Sequence, residues 1–87
     1  MGEFDGYLSY EAWKVALHID NTMDEYLFTK RVIDIALASA EYIDITSAEY
    51  ATNGIMSCYI GKVFDGVPVT ESHVREYVEK EIADRPN

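Results

Sequence analysis

Apolar residues recur at three- and four-residue intervals along most of this chain, broken by short polar stretches, and that period predicts helices. Ser9 is placed to cap the first helix, over about 10–20, with Glu11 in the first turn where the helix dipole favours an anion. Trp13, Ala16 and Leu17 follow the period with Tyr10 one turn earlier, and Val15 and Ile19 widen the stripe. Thr22-Met23-Asp24-Glu25 reads as a capping box that starts a second helix over about 23–41. Its stripe is Tyr26, Ile33, Leu37 and Ala40, flanked by Leu27, Val32 and Ala36, with no Gly or Pro inside it. A link of one or two residues forces these helices to turn sharply on each other.

The next segment is mixed. Tyr42-Ile43-Asp44-Ile45 alternates weakly, like a short extended link. Thr46-Ser47-Ala48-Glu49 is a second capping box and supports a short extra helix over about 47–52, which Asn53-Gly54 breaks or kinks. Ile55, Met56, Tyr59, Ile60, Val63 and Phe64 then predict a third principal helix over about 54–64. The competing reading, a strand over Ile55–Phe64 broken at Gly61, leaves both strand faces mixed. Asp65-Gly66 and Pro68 mark a turn, and Thr70 caps a last helix over about 71–83. That helix has Val74, Tyr77, Val78 and Ile82 on one face and the i,i+4 pairs Glu71–Arg75, Glu76–Lys80 and Glu81–Arg85. The expected fold is all-α: a small single-domain bundle of four principal helices over residues 1–87, with a loose arm at 1–8. The expected core is Trp13, Leu17, Leu27, Ile33, Leu37, Ile55, Tyr59, Ile60, Val63, Val74, Val78 and Ile82.

Composition narrows the function. A chain of 87 residues with 48% hydrophobic positions is one small domain rather than a disordered acidic tail. A net charge of −9 argues against direct binding to DNA, RNA or an anionic membrane, which need a basic patch. One cysteine, Cys58, forms neither an internal disulfide nor a zinc cluster and fits a reducing compartment. No apolar run reaches the ~18–20 residues of a membrane span, and Met1–Tyr7 lacks signal-peptide character.

The residues of catalysis are sparse. His18 and His73 lie far apart, outside any HxxxH or HExxH spacing, and read as partly exposed polar residues rather than ligands. Cys58 has Lys62 as its nearest base and reads as a buried, inert thiol. There is no Gly-rich phosphate loop or calcium loop, so neither an enzyme nor a cofactor or metal site is expected. Charge placement is more informative. Residues 1–50 hold ten acids and three bases, a net of −7, whereas residues 51–87 hold six acids and four bases, a net of −2. Val32–Gly61 has no Lys or Arg yet contains Asp34, Glu41, Asp44 and Glu49, and Asp20, Asp24 and Glu25 crowd the corner between the first two helices. Unmatched like charges destabilise a small protein slightly, so this acidity is either solubilising or used against a basic partner. Seven tyrosines are also many for this length. Tyr26, Tyr59 and Tyr77 lie on apolar stripes and read as core, while Tyr42 and Tyr50 divide between core and interface.

The segment Tyr10-Glu11-Ala12-Trp13-Lys14-Val15-Ala16-Leu17-His18-Ile19-Asp20-Asn21 resembles the first helix of a group of short tailed-phage proteins. Those proteins begin Tyr-Glu-Thr-Trp-Asn-Val, then a residue, then Leu-Trp-Leu/Ile and an acid or Asn. The match falls on Tyr10, Glu11, Trp13, Val15, Leu17, Ile19 and Asn21; Ala12 stands for their Thr and His18 for their second Trp. Their Gly-initiated apolar helix and final amphipathic helix are echoed by Gly54–Phe64 and Glu71–Ala83. The resemblance covers about a dozen residues and implies a phage or mobile-element origin, with no activity to transfer.

Together these readings give a non-enzymatic, acidic phage protein in the cytoplasm of a bacterial host. The expectation is that it inhibits a CRISPR effector, nuclease or restriction enzyme by occupying a basic groove. The expected contact residues are Asp20, Asp24, Glu25, Asp34, Glu41, Tyr42, Asp44, Glu49 and Tyr50. The alternative is an adaptor or assembly module using an apolar helix face such as Ile55–Phe64, as a homodimer or docked on a phage protein.

Overall fold

Four helices and one short hairpin make up the computed structural model, which describes residues 6–39 and 46–84. In chain order these are α1 (Tyr10–Asn21), α2 (Met23–Ser39), α3 (Ser47–Tyr59), β1 (Val63–Phe64), β2 (Val67–Pro68) and α4 (Glu71–Asp84). The main contacts run α1 to α2, α2 to α3, α3 to α4 and α4 back to α1, so the helices form a closed ring of neighbours. The all-α bundle of four principal helices is therefore what the chain adopts, with a two-stranded hairpin added.

Each helix contributes a buried stripe. Val15 and Ile19 of α1, Ile33 and Ala36 of α2, Ala51, Ile55 and Tyr59 of α3, and Val74, Tyr77 and Val78 of α4 meet in one cluster. Burying a Val, Leu or Ile side chain contributes about 1.5–3 kcal/mol, so this cluster is the main source of stability. Two buried polar residues, Thr29 and Thr52, donate their hydroxyls to the backbone carbonyls of Tyr26 (3.1 Å) and Ala48 (2.7 Å). Both thus enter the core without an unmet hydrogen bond.

The α1–α2 corner turns on a single residue. Thr22, with extended dihedrals, ends α1 by donating its amide to the Ile19 carbonyl (3.4 Å). Its own carbonyl accepts the Tyr26 amide (2.8 Å), so Thr22 joins both helices through its backbone. The Ser9 and Thr46 caps form as expected, their hydroxyls accepting the Ala12 and Glu49 amides.

The expected third helix over 54–64 is corrected. α3 starts at the Thr46 cap and runs without a break through Asn53-Gly54 to Tyr59, so the proposed short helix over 47–52 and the start of the proposed long one are a single element. Gly54 serves as a packing residue: a Cβ there would sit 3.1 Å from Val32 Cγ1 of α2. A helix already nucleated upstream tolerates one glycine where a neighbour comes close. Beyond Tyr59 the chain leaves the helix through Gly61, at φ +82°.

The next residues form a hairpin, pairing Val63 with Pro68 and Phe64 with Val67. Asp65 (φ +54°) and Gly66 (φ +84°) both have left-handed dihedrals, as a two-residue type I′ turn requires. The hairpin buries Phe64, Val67 and Val69 and leaves Val63 outside.

Several expected core residues are also corrected. Leu27, Ile60 and Val63 are well exposed, at 56%, 77% and 58%, and Leu17 and Tyr26 are partly so. Trp13, Leu37 and Ile82 are half-buried. Leu27 points away because α2 meets its neighbours through Thr29, Ile33 and Ala36; the helix carries apolar residues on two sides, and periodicity alone could not choose between them.

Part of the expected loose arm is docked. The Leu8 amide donates to Glu76 Oε2 (2.6 Å), and Lys80 Nζ lies 5.1 Å from the centre of the Tyr7 ring. Residues 6–8 thus form a strap over α4, and residues 1–5 lie outside the described residues. Glu71–Arg75 pairs at 2.9 Å. Glu76 and Lys80 face the strap, Glu81 reaches Lys30, and Arg85 is outside the described residues.

Candidate functional site

The acids of the first half divide into two sets. Asp20, exposed, and Glu25, half-buried, each accept a hydrogen bond from another helix. Asp20, at the end of α1, accepts a hydrogen bond from the Tyr77 hydroxyl of α4 (2.9 Å) and lies 3.8 Å from Lys30 Nζ. Glu25, in the first turn of α2, accepts one from the Tyr59 hydroxyl of α3 (2.6 Å). These two carboxylates tie helices together.

Lys30 is the centre of the first arrangement. Its ammonium donates to Tyr77 Oη (2.7 Å), pairs with Glu81 (3.1 Å), and lies 4.6 Å and 5.0 Å from the ring centres of Tyr26 and Tyr77. Tyr77 therefore accepts from Lys30 and donates to Asp20, which fixes its hydroxyl. One lysine on α2 thus links α1 and α4. The sequence reading did not single it out; the available signal was a lysine on α2 following Tyr26 at i+4 beside an acidic corner.

The buried phenols share a direction of perturbation. Burial first, and then hydrogen bonding to and repulsion by Glu25, pushes Tyr59 well above the usual phenol range. Burial does the same for Tyr77, opposed by a Thr29 hydrogen bond and helped by Asp20, and for Tyr7, helped by Asp20 and Glu81. All three stay protonated across the physiological range, and Tyr59 and Tyr77 remain donors.

The second set faces outward. Asp24 is exposed at the start of α2, Asp34 farther along it, and Glu49 in the first turn of α3. Tyr50 is half-buried and packs against the core, so it offers only part of its surface. Glu41, Tyr42 and Asp44 lie outside the described residues. Asp34 and Glu49 thus flank the connection between α2 and α3 from either side in sequence, whereas Asp20 and Glu25 belong to the opposite end of α2.

The remaining chemistry-bearing residues have structural partners. His18 stacks on Phe64 (4.1 Å between ring centres, 18° between planes), with Nδ1 3.6 Å from Asp65 Oδ2, and so braces the hairpin against α1. His73 accepts the Thr70 amide at Nδ1 (3.4 Å) while its own amide reaches Thr70 Oγ1 (3.3 Å), a reciprocal cap at the start of α4. Cys58 is exposed, correcting the expected buried thiol. Among the described residues, no group of three or more His, Cys, Asp or Glu could hold a metal ion, and no helix is long and apolar enough to cross a membrane.

Shallow clefts lie among the described residues. One of about 310 Å³ lies between α3 and α4 and is lined by Asn53, Met56, Ser57, Ile60 and Glu71. Another, about 280 Å³, lies at the α1–α2 corner beside Asp20, Asn21, Met23 and Tyr26. Neither collects the converging, perturbed titratable groups that acid–base chemistry needs.

Comparison of the chain with protein-family models, with curated proteins and with solved structures gives no match. The functional reading therefore rests on the residues themselves.

Proposed function

We propose that this protein is a phage-encoded inhibitor that binds a host nucleic-acid-binding defence complex of the CRISPR-effector or restriction type. It competes for the basic groove that would otherwise hold nucleic acid. The observation that carries this reading is the base-free stretch from Val32 to Gly61, with Asp34 and Glu49 exposed on α2 and α3 and Glu41 and Asp44 between them in sequence. Carboxylates here stand in for phosphates, and a groove rich in Lys and Arg is drawn to them by long-range attraction that salt screens. Asp20 and Glu25 move from contact residues to scaffold, since their carboxylates hold Tyr77 and Tyr59. The short tailed-phage resemblance around Trp13 supports the origin.

The test is capture from host lysate at low and high salt, followed by competition with nucleic acid. The captured protein is expected to be a nucleic-acid-binding enzyme, released by salt and displaced by its own nucleic acid. Changing Asp34, Glu41 and Asp44 together to Lys is expected to abolish capture. Binding that survives high salt or that triple change sinks the mimicry.

The adaptor reading retains one specific observation: Ile60 and Val63 are exposed at 77% and 58%, and Ile60 lines the cleft at Met56. It predicts a partner held by apolar contact, with capture insensitive to salt.

A further inference from the structure

The outer face of α2 carries a second pattern, which shares Asp34 with the proposed inhibitor surface but calls for a different partner. α2 packs against α1 and α3 through its buried side. On the outer side, Met23, Leu27 and Ile35 are 68%, 56% and 50% exposed, an unusual density of large apolar residues for the solvent side of one helix. Arg31, Asp34 and Ala38 are exposed with them.

Leu27, Arg31, Asp34 and Ala38 are spaced by four, three and four residues, the seam spacing of a left-handed coiled coil. The order of this seam is self-complementary on reversal. If two copies lie antiparallel about a two-fold axis midway between residues 32 and 33, Leu27 falls opposite Ala38 of the other copy and Arg31 opposite its Asp34. Symmetry makes each contact twice. A parallel pairing would instead oppose Arg31 to Arg31 and Asp34 to Asp34, so the charges select the antiparallel arrangement.

We propose that the exposed face of α2 is a homodimer interface, in which two copies pair antiparallel through Leu27, Arg31, Asp34 and Ala38. The seam carries one positive and one negative residue in a chain of net charge −9, so two acidic molecules can meet there with crossed pairs. Asp34 already has an interaction within its own chain; a carboxylate accepts from more than one donor, so the cross pair adds to it. Residues 27–38 span about 17 Å of helix, which is short for a zipper. The dimer is therefore weak and reversible, forming only at high protein concentration.

The experiment is sedimentation equilibrium of the full chain from about 1 µM to 1 mM in moderate salt. The apparent mass is expected to rise from the 9.9 kDa monomer toward twice that value. Arg31→Asp and Asp34→Arg, made singly, are each expected to weaken association about tenfold or more by opposing like charges. The double variant R31D/D34R restores the crossed pairs and is expected to recover association to within about threefold. Leu27→Gln tests the apolar contact without changing charge, and circular dichroism checks that each variant keeps its helices. A chain that stays monomeric at 1 mM overturns the proposal. So does a dimer indifferent to the single changes, or a double variant that fails to recover. None of these outcomes depends on a host partner, so failure here is distinct from failure of the inhibitor reading.

Discussion

Asp20 and Glu25 at one end of α2 and Asp34 and Glu49 toward the other look alike in a charge count, yet they have different roles. The first pair is met by Tyr77, Lys30 and Tyr59 from other helices and holds the ring closed. The second pair is exposed on α2 and α3. The difference teaches that acidity becomes structural where a tyrosine or lysine of another helix closes on the carboxylate, as Tyr77, Lys30 and Tyr59 do on Asp20 and Glu25. Substitutions can break or sharpen that contrast.

Lys30→Met has the largest expected effect. It leaves Asp20 and Glu81 without their cation and Tyr77 without its donor, in a cluster whose lysine side chain is 20% exposed. Losing one partner of a buried pair costs about 3–5 kcal/mol; the partly exposed carboxylates reduce this to about 2 kcal/mol, measured by urea unfolding. A loss under half that size would mean that the cluster is only a surface decoration. Tyr59→Phe comes next, removing the donor to Glu25, and should cost about 1–1.5 kcal/mol in the same assay.

The phenols give a pH test of the same cluster. Tyr7, Tyr59 and Tyr77 have folded-state pKa values raised above the ordinary value of 10.0. Above that pH the unfolded chain releases phenolic protons that the folded chain keeps, so stability is full below pH 10 and falls as pH rises beyond it. A melting-temperature series from pH 8 to 11 should show that decline, with a shallower slope in Tyr59→Phe. Glu49→Lys has the smallest expected effect, within about 0.5 kcal/mol, because the side chain is exposed and its attraction to Arg75 of α4 is screened by solvent. A large loss there would show that the second set is structural as well.

The helical architecture was legible because α1, α2 and α4 each carry a three-four period with a readable start or stop. The third helix misled for a definable reason. Gly54 looks like a breaker in isolation, and only the approach of Val32 shows it to be a packing position. The hairpin was hidden because Val63 and Phe64 extend the helical period of α3, although Asp65-Gly66 is also the signature of a type I′ turn. In the candidate site, residue type identified the acids but could not divide them. That division depends on which helix faces which, through contacts between residues as distant in sequence as Asp20 and Tyr77.

The exposure of Cys58 has a practical consequence. It is the chain's single cysteine, and it lies nine positions beyond Glu49 on α3, about 13 Å along the helix axis. A maleimide tag there would attach every molecule to a surface in one orientation, with the start of α3 and Glu49 facing the solution. The thiol thus offers a defined handle for immobilising the protein as bait without altering any residue on which the inhibitor or dimer proposals depend.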